Sequence, residues 1–216
     1  MSTFELPVVA SLPPSAPSAA WLRAAKQAKL LAWASLAWMS VEGFAGVAAG
    51  LQAHSLGVVT WAASSFVEAL ASLIVVWRFT GRRTLSATSE ARAQRWVAAS
   101  FFLLAPYFVV EAVRKLISGE GAETQPLAIA ITASAIVLMP LLGWAKLRLG
   151  KQLDSGATSG EGIQNVMCAA QAGAALVAIV ASSLKFLDPI AALVIAGIAL
   201  KEGRDGWRGK DTCSCC

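Results

Sequence analysis

The chain has 216 residues and a formal net charge of +5, a size that suits one ordinary domain. Hydrophobic residues make up 56% of it and charged residues only 14%, against roughly 45–50% and about 25% in soluble domains. Apolar runs of about 20 residues recur along the chain. This composition excludes a disordered chain, a disulfide scaffold and a water-soluble enzyme, and it predicts an all-α polytopic membrane protein.

Six stretches are long and apolar enough to cross the hydrocarbon core, which needs about 20 residues per helix. They cover residues 29–50, 57–79, 96–117, 126–147, 162–186 and 189–203. Helices are expected because a lipid-exposed backbone must satisfy its hydrogen bonds internally. The sequence therefore predicts a flexible N-terminal arm (residues 1–28), a six-helix transmembrane domain (29–203) and a short cysteine-rich tail (204–216).

Basic residues predict the orientation of these spans. Most of the 18 Lys and Arg residues precede the first span, follow the last, or lie in the second and fourth connections. Lys146 is placed in that fourth connection, and Arg114, Lys115 and Lys185 are the basic residues left on the opposite side. By the positive-inside rule, both termini should face the cytoplasm, in a plasma or inner membrane. The positive charge is then a topology signal, and no nucleic-acid partner is expected.

Polar residues inside the predicted spans need an explanation, because a charge at a helix centre costs at least ~2.5–3.5 kcal/mol on insertion scales. Glu42 lies in the first span, Glu68 in the second and Glu111 in the third. Ser64 and Glu68 are four residues apart and share a helix face. These groups either form a functional site or pair with one another, with nearby basic residues or with the backbone to hold the bundle together.

The fifth span repeats the polar spacing of the second. Gln164, Asn165 and Cys168 follow each other at the same intervals as Ser64, Ser65 and Glu68, and Glu161 lies two turns before Cys168 on the same face. If the two spans pack together, they bring a carboxylate and a thiol to a shared point. Carboxylate oxygen and thiolate sulfur are ligands for Zn²⁺-like ions. The spacing therefore favours a metal site between spans two and five.

Two long segments of the chain carry a family resemblance. From Val41 to Phe79 the chain contains EGFAGVAAG and then SLGVVTWAASSFVEALASLIVVWRF. From Gly160 onward it contains GEGIQNVMCAA and then LDPIAALVIAGIALKEGRDGWRG. These segments resemble the first two and the last two spans of the cation diffusion facilitator family. The likeness is to small bacterial members that lack the cytoplasmic metal-binding domain, and it covers most of residues 30–210.

The resemblance implies a transporter that exports divalent metals, typically Zn²⁺ and usually against protons, from a site between spans two and five. The small members show Asp-Ser-x-x-Glu in span two, and Asp followed seven residues later by Cys in span five. In this sequence Ser64 replaces the first Asp and Glu161 replaces the second. The implied metal-binding residues are Glu68, Glu161 and Cys168, with Ser64, Gln164 and Asn165 as weaker oxygen donors and Glu42 nearby.

The chain ends with three cysteines, Cys213, Cys215 and Cys216. On a cytoplasmic tail they should be reduced, and thiolates favour soft ions. They would either collect metal for the membrane site or form a plain flexible tail. Two tails in a homodimer could complete a four-thiolate site.

The leading hypothesis is a proton-coupled exporter of a divalent or soft metal ion, with no fixed cofactor and with the metal cation, protons and lipid as partners. One alternative is a small multidrug exporter, in which Glu42 or Glu68 holds an aromatic cation with Trp33, Trp38 and Trp61. Another is a degenerate membrane relative that binds a partner and transports nothing. No residue constellation indicates an enzyme.

Overall fold

The computed structural model describes residues 17–52, 56–119, 126–180 and 186–209. In these ranges the chain forms six α-helices and one short 3-10 helix, and no strand. The α-helices are α1 (Ala19–Gln52), α2 (Leu56–Arg78), α3 (Ala87–Ser118), α4 (Pro126–Leu153), α5 (Gly156–Val180) and α6 (Leu187–Trp207). The predicted fold class, an all-α polytopic membrane protein, is confirmed.

Three helices in the described part of the chain are long and apolar enough to cross a membrane. They cover Ala19–Ala48 in α1, Ala87–Ser118 in α3 and Ile129–Leu153 in α4. The outer surface of the bundle is apolar as well, since Phe44, Val110 and Ile117 are 68%, 67% and 81% exposed. Such a surface suits a hydrocarbon solvent rather than water. The count of six spans and the orientation of the termini stay predictions.

The helices are longer than the predicted spans at the ends that carry most basic residues. We call this the basic end of the bundle: α1, α3 and α5 begin there, and α2, α4 and α6 end there. α1 begins at Ala19, so the last part of the segment predicted to be a flexible arm is helical. α4 continues to Leu153, six residues past its predicted end, and α6 continues to Trp207. The tail cysteines Cys213, Cys215 and Cys216 lie outside the described residues.

Helix pairing brings the predicted site helices together. The most extensive contacts join α1 to α2, α4 to α5 and α3 to α6, while α2 also contacts α5 and α1 contacts α4. Small side chains make up much of this core, since Ala28, Ala32, Ala71 and Ala112 are fully buried. Small residues let helix backbones approach closely where lipid provides no hydrophobic driving force between helices.

Helices α4 and α5 approach each other closely where two glycines face each other. A methyl group added at Gly162 would lie 3.0 Å from the carbonyl oxygen of Gly143, and one added at Gly143 would lie 2.9 Å from the carbonyl oxygen of Gly162. At Gly150 it would lie 2.9 Å from the backbone nitrogen of Ser159. The backbones are in contact, so the two helices cannot accept a side chain at these positions without separating.

We expect Gly162→Val to lower the free energy of unfolding by about 1–3 kcal/mol, the usual cost of overpacking a filled interior. The matched control is Gly173→Val on the same helix, because a methyl group at Gly173 meets nothing within 4 Å. Thermal unfolding of both purified variants in one detergent measures the difference. Equal unfolding temperatures for the two variants would contradict the tight packing of α4 on α5.

A salt-bridged cluster ties three helix ends together at the basic end. The Arg78 guanidinium, at the end of α2, donates from Nε to Glu90 Oε2 over 2.6 Å. Glu90, in the first turn of α3, also accepts on Oε1 from the Ser155 hydroxyl at 3.0 Å and from the Ala157 backbone N–H at 3.2 Å. The Glu90 carboxylate therefore holds the start of α5 and the end of α2 against α3.

Candidate functional site

Glu68 on α2 and Cys168 on α5 lie side by side inside the bundle. Their exposed fractions are 5% and 9%, and the Cys168 thiol is placed to donate a hydrogen bond to the Glu68 carboxyl group. The second oxygen of Glu68 has no hydrogen-bond partner in the described structure. Ser64, also buried, lies one turn before Glu68 on the same helix. The structure thus brings the acid and the thiol of the predicted site together.

Glu42 on α1 belongs to the same buried region. The residue is 2% exposed, and its carboxyl group is close enough to interact electrostatically with Glu68 and Cys168. The Trp38 indole lies near it, yet neither Glu42 oxygen nor the indole nitrogen has a hydrogen-bond partner of ordinary geometry in the described structure. A buried carboxyl group without partners is costly. Glu42 and Glu68 are therefore two acids that form no ion pair with any of the described residues, so that their charge is unpaired there when they are ionised.

The structure places Lys146 inside α4, and the prediction that it lies in the fourth connection was wrong. α4 runs on to Leu153, so Lys146 lies inside the helix and its side chain is fully buried. Its ammonium contacts Glu161 Oε1 at 2.7 Å, Ser35 Oγ at 2.6 Å and Asn165 Oδ1 at 2.8 Å. An ammonium has three donors, and three oxygens from α1 and α5 engage them all. Glu161 is thus an ion-pair partner of a lysine through Oε1, while its Oε2 has no hydrogen-bond partner in the described structure.

The amides of α5 face neighbouring helices. Asn165 donates from Nδ2 to the Met139 sulfur at 3.1 Å on α4, while its oxygen accepts from Lys146. Gln164 donates from Nε2 to Ser100 Oγ at 2.6 Å on α3, and Gln164 Oε1 has no partner in the described structure. The polar face of α5 that the spacing predicts is buried, but its side chains contact three different helices, α2, α3 and α4. Of the predicted α5 residues, only Cys168 meets Glu68 directly.

Four buried ionisable groups lie close enough to influence one another electrostatically, and we call them the column. Lys146 is close enough to Glu68 to interact electrostatically with it, so the column runs from Glu161 through Lys146 to Glu68 and Glu42. Three carboxylates and one ammonium sum to two negative charges when all are ionised. Within the described residues, no three His, Cys, Asp or Glu side chains are grouped so that they could hold a metal ion. In this conformation Glu68 and Cys168 provide a pair of potential ligands and not a complete metal site.

Some predicted features fall elsewhere. Glu111 pairs with Arg114 at 3.0 Å and with Lys115 at 3.7 Å, outside the column. Trp33 is 49% exposed on the outer surface and so does not enclose a buried carboxylate. His54 lies outside the described residues, and the side chain of Trp61 is not described.

Sequence reasoning missed Lys146 and Ser35, although the chain carried one usable signal. Gly143, Lys146 and Gly150 follow each other at intervals of three and four residues, which places them on one helix face. Two glycines on that face indicate close contact with another helix. A lysine between them is therefore expected at a helix interface rather than in a loop.

A membrane-spanning helical bundle with ionisable groups buried between its helices is typical of ion and substrate transporters. Residues 93–206, more than half of the chain, match the family model described as the cation efflux transmembrane domain. The chain therefore belongs to the cation diffusion facilitator family and is a cation transporter of that type. No curated protein matches the chain. The matched region contains Lys146, Glu161 and Cys168 but not Glu42 or Glu68.

Proposed function

We propose that this protein is a secondary transporter that exports a divalent or soft metal cation, Zn²⁺ or a softer ion, in exchange for protons. The observation that carries the proposal is the buried contact between the Glu68 carboxyl group and the Cys168 thiol where α2 packs on α5. A carboxylate and a thiolate are the ligand types that Zn²⁺ and Cd²⁺ accept. Glu42 and Ser64 are the neighbouring oxygen donors that would complete the coordination of the ion.

The charge of the buried column supports a divalent substrate. Lys146 and Glu161 neutralise each other at 2.7 Å, so Glu42 and Glu68 carry the remaining two negative charges. Unneutralised charge inside a bundle is costly, and either one divalent cation or two protons would balance it. An ion and two protons would therefore occupy the same acids in turn, which is the basis of antiport.

The proposed mechanism is alternating access. Movement of α2 and α5 relative to the remaining helices would expose the Glu68–Cys168 pair first to one side of the membrane and then to the other. Metal would bind the deprotonated acids, and protons from the far side would displace it. The Cys168 sulfur would favour thiophilic ions, because a coordinating thiol is held as thiolate. The proton that the thiol loses would pass to Glu42, so that two protons are still exchanged for each divalent ion. The proposal places both termini in the cytoplasm, in a plasma or inner membrane.

Two further parts of the proposal concern assembly. The chain would act as a homodimer, and the tail thiols Cys213, Cys215 and Cys216 would deliver soft ions to the membrane site. Deleting residues 211–216 is then expected to slow metal export in cells without changing the affinity of the purified transporter. A fall in that affinity would show that the tail thiols belong to the transport site itself.

Proteoliposomes loaded with a pH-sensitive dye test the proposed function. We expect Zn²⁺ and Cd²⁺ to stimulate proton flux, with about two protons moved per metal ion because a divalent ion displaces two of the protons held by Glu42, Glu68 and Cys168. Mn²⁺ should stimulate it less because it lacks affinity for sulfur. Empty liposomes and Ca²⁺ serve as controls. Absence of metal-stimulated proton flux with every ion would contradict antiport, and flux of quaternary ammonium dyes instead would identify a lipophilic-cation exporter.

A further inference from the structure

The Lys146 ammonium is a positive charge of the protein itself that is buried inside the bundle. The Lys146 ammonium is surrounded by Glu161 Oε1, Ser35 Oγ and Asn165 Oδ1 at 2.7, 2.6 and 2.8 Å. The lysine side chain is 0% exposed and that of Glu161 is 2% exposed. One carboxylate oxygen, one hydroxyl oxygen and one amide oxygen around a central point form a pocket for a small cation. We call these three oxygens the ammonium pocket.

The position of this pocket bears on transport. Glu161 and Asn165 lie on the same face of α5 as Cys168, and the lysine charge acts on Glu68. Without the ammonium, the column would hold three carboxylates and a larger negative charge. The pair of Lys146 and Glu161 need not be there for stability alone, because replacing a buried ion pair by apolar residues of similar volume often leaves a protein equally stable or more stable. The ammonium instead determines which groups remain open to a mobile ion and how much charge that ion must carry.

We propose that Lys146 is a specificity-determining residue: its tethered ammonium fills the pocket of Ser35, Glu161 and Asn165, withholds Glu161 from the transported ion, and leaves Glu42 and Glu68 to set a requirement for two positive charges. The proposal deepens the proposed function and rests on it. Glu161 is then a partner of the internal cation and contributes no bond to the transported metal.

A charge-matched set of variants tests this proposal. The parent protein for this test is a variant in which Cys213, Cys215 and Cys216 are replaced by Ser. Of the four cysteines of the chain, it keeps only Cys168. Cd²⁺ is titrated into the parent in lipid nanodiscs, and the Cd–thiolate absorbance is followed. The variants are Lys146→Met, Glu161→Gln and the two combined. The combined variant removes one positive and one negative charge, so the net charge of the column stays the same.

The expected order of Cd²⁺ affinity among the variants follows the net charge of the column. Glu161→Gln leaves an unpaired ammonium and should weaken Cd²⁺ binding roughly tenfold or more, while Lys146→Met adds net negative charge and should strengthen it. The combined variant should bind within about threefold of the parent, since its net charge is unchanged. Equal losses in Glu161→Gln and in the combined variant would identify Glu161 as a metal ligand and overturn the proposal. Changes in the same direction in both single variants would overturn it as well.

A second measurement does not depend on metal binding. Lys146→Ala removes the ammonium and should lower the unfolding temperature by on the order of 10 °C, because it leaves a buried carboxylate unpaired. Methylammonium, a small cation with N–H donors, should raise the unfolding temperature of this variant and leave the parent unchanged. Tetramethylammonium, which has no N–H donor, should have no such effect. Adding Glu161→Gln to Lys146→Ala should abolish the response.

These two assays separate failure of the proposal from failure of the proposed function. Absence of any Cd–thiolate signal in the parent would count against metal transport, and the methylammonium response would still decide whether the ammonium pocket exists. Absence of that response in a folded Lys146→Ala protein overturns the pocket. Should Lys146→Ala fail to fold, the combined Lys146→Met and Glu161→Gln variant, which retains no buried unpaired charge from this pair, decides the matter by its affinity for Cd²⁺.

Discussion

Glu68→Gln is expected to abolish metal-dependent proton flux while the amount of protein in the membrane stays unchanged. Glutamine has nearly the same shape as glutamate, so the packing of α2 on α5 is retained. It cannot carry the negative charge that a divalent ion requires, and it cannot exchange a proton. Cys168→Ala is expected to abolish transport of soft ions in the same way, because it removes the sulfur ligand. Metal resistance of cells and flux in proteoliposomes, compared at equal expression, measure both effects.

The matched control for Glu68→Gln is Glu111→Gln. Glu111 is also a buried glutamate, but it pairs with Arg114 and Lys115 and lies outside the column. We expect this variant to retain proton flux per folded molecule, even where the loss of its ion pairs lowers stability. Full metal resistance in both Glu68→Gln and Cys168→Ala would remove the two residues from the mechanism.

Glu90→Ala is expected to lower the free energy of unfolding by about 3–5 kcal/mol, the cost of breaking a buried ion pair on one side. The variant leaves the guanidinium of Arg78, whose side chain is 6% exposed, without its carboxylate. It also removes the acceptor of the Ser155 hydroxyl and of the Ala157 backbone N–H at the start of α5. Thermal and chemical unfolding of the purified protein measure the loss.

Asp205→Ala provides the comparison for Glu90→Ala. Asp205 pairs with Lys201 at 3.7 Å, and the lysine side chain is 55% exposed. An exposed pair contributes at most about 1 kcal/mol, so this variant should be nearly as stable as the parent. Equal stability losses in the two variants would contradict the structural role of the Glu90 cluster.

Hydrophobic run length and spacing predicted much of the fold and part of the site. Long apolar runs have few solutions in lipid, because the backbone must bond to itself, and the described part of each predicted stretch accordingly contains an α-helix. The matching intervals in spans two and five placed Glu68 and Cys168 on facing helices. The spacing of residues shows which of them share a helix face, and this was sufficient to predict that Glu68 and Cys168 lie close together.

The hydrogen-bond partners of Lys146 could not be predicted from spacing. Basic residues near the end of a span are typical of the loop that follows, so Lys146, at the very end of the predicted fourth span, was counted with the fourth connection. Whether a lysine turns into a bundle depends on acceptors supplied by other helices, and the Ser35 acceptor is 111 residues away in the chain. The same holds for Gln164, whose partner Ser100 is 64 residues away. Helix periodicity carries no information about such partners.

The most direct test of the central claim is the coordination shell of a bound Cd²⁺ ion, measured by X-ray absorption on the parent whose single thiol is Cys168. A transport site formed by Glu68 and Cys168 predicts one bound ion per chain with one sulfur neighbour and otherwise oxygen neighbours. Cys168→Ser should replace the sulfur by oxygen, and Glu68→Gln should greatly weaken binding. A bound ion with no sulfur neighbour in the parent would contradict the assignment of the site to the contact between α2 and α5.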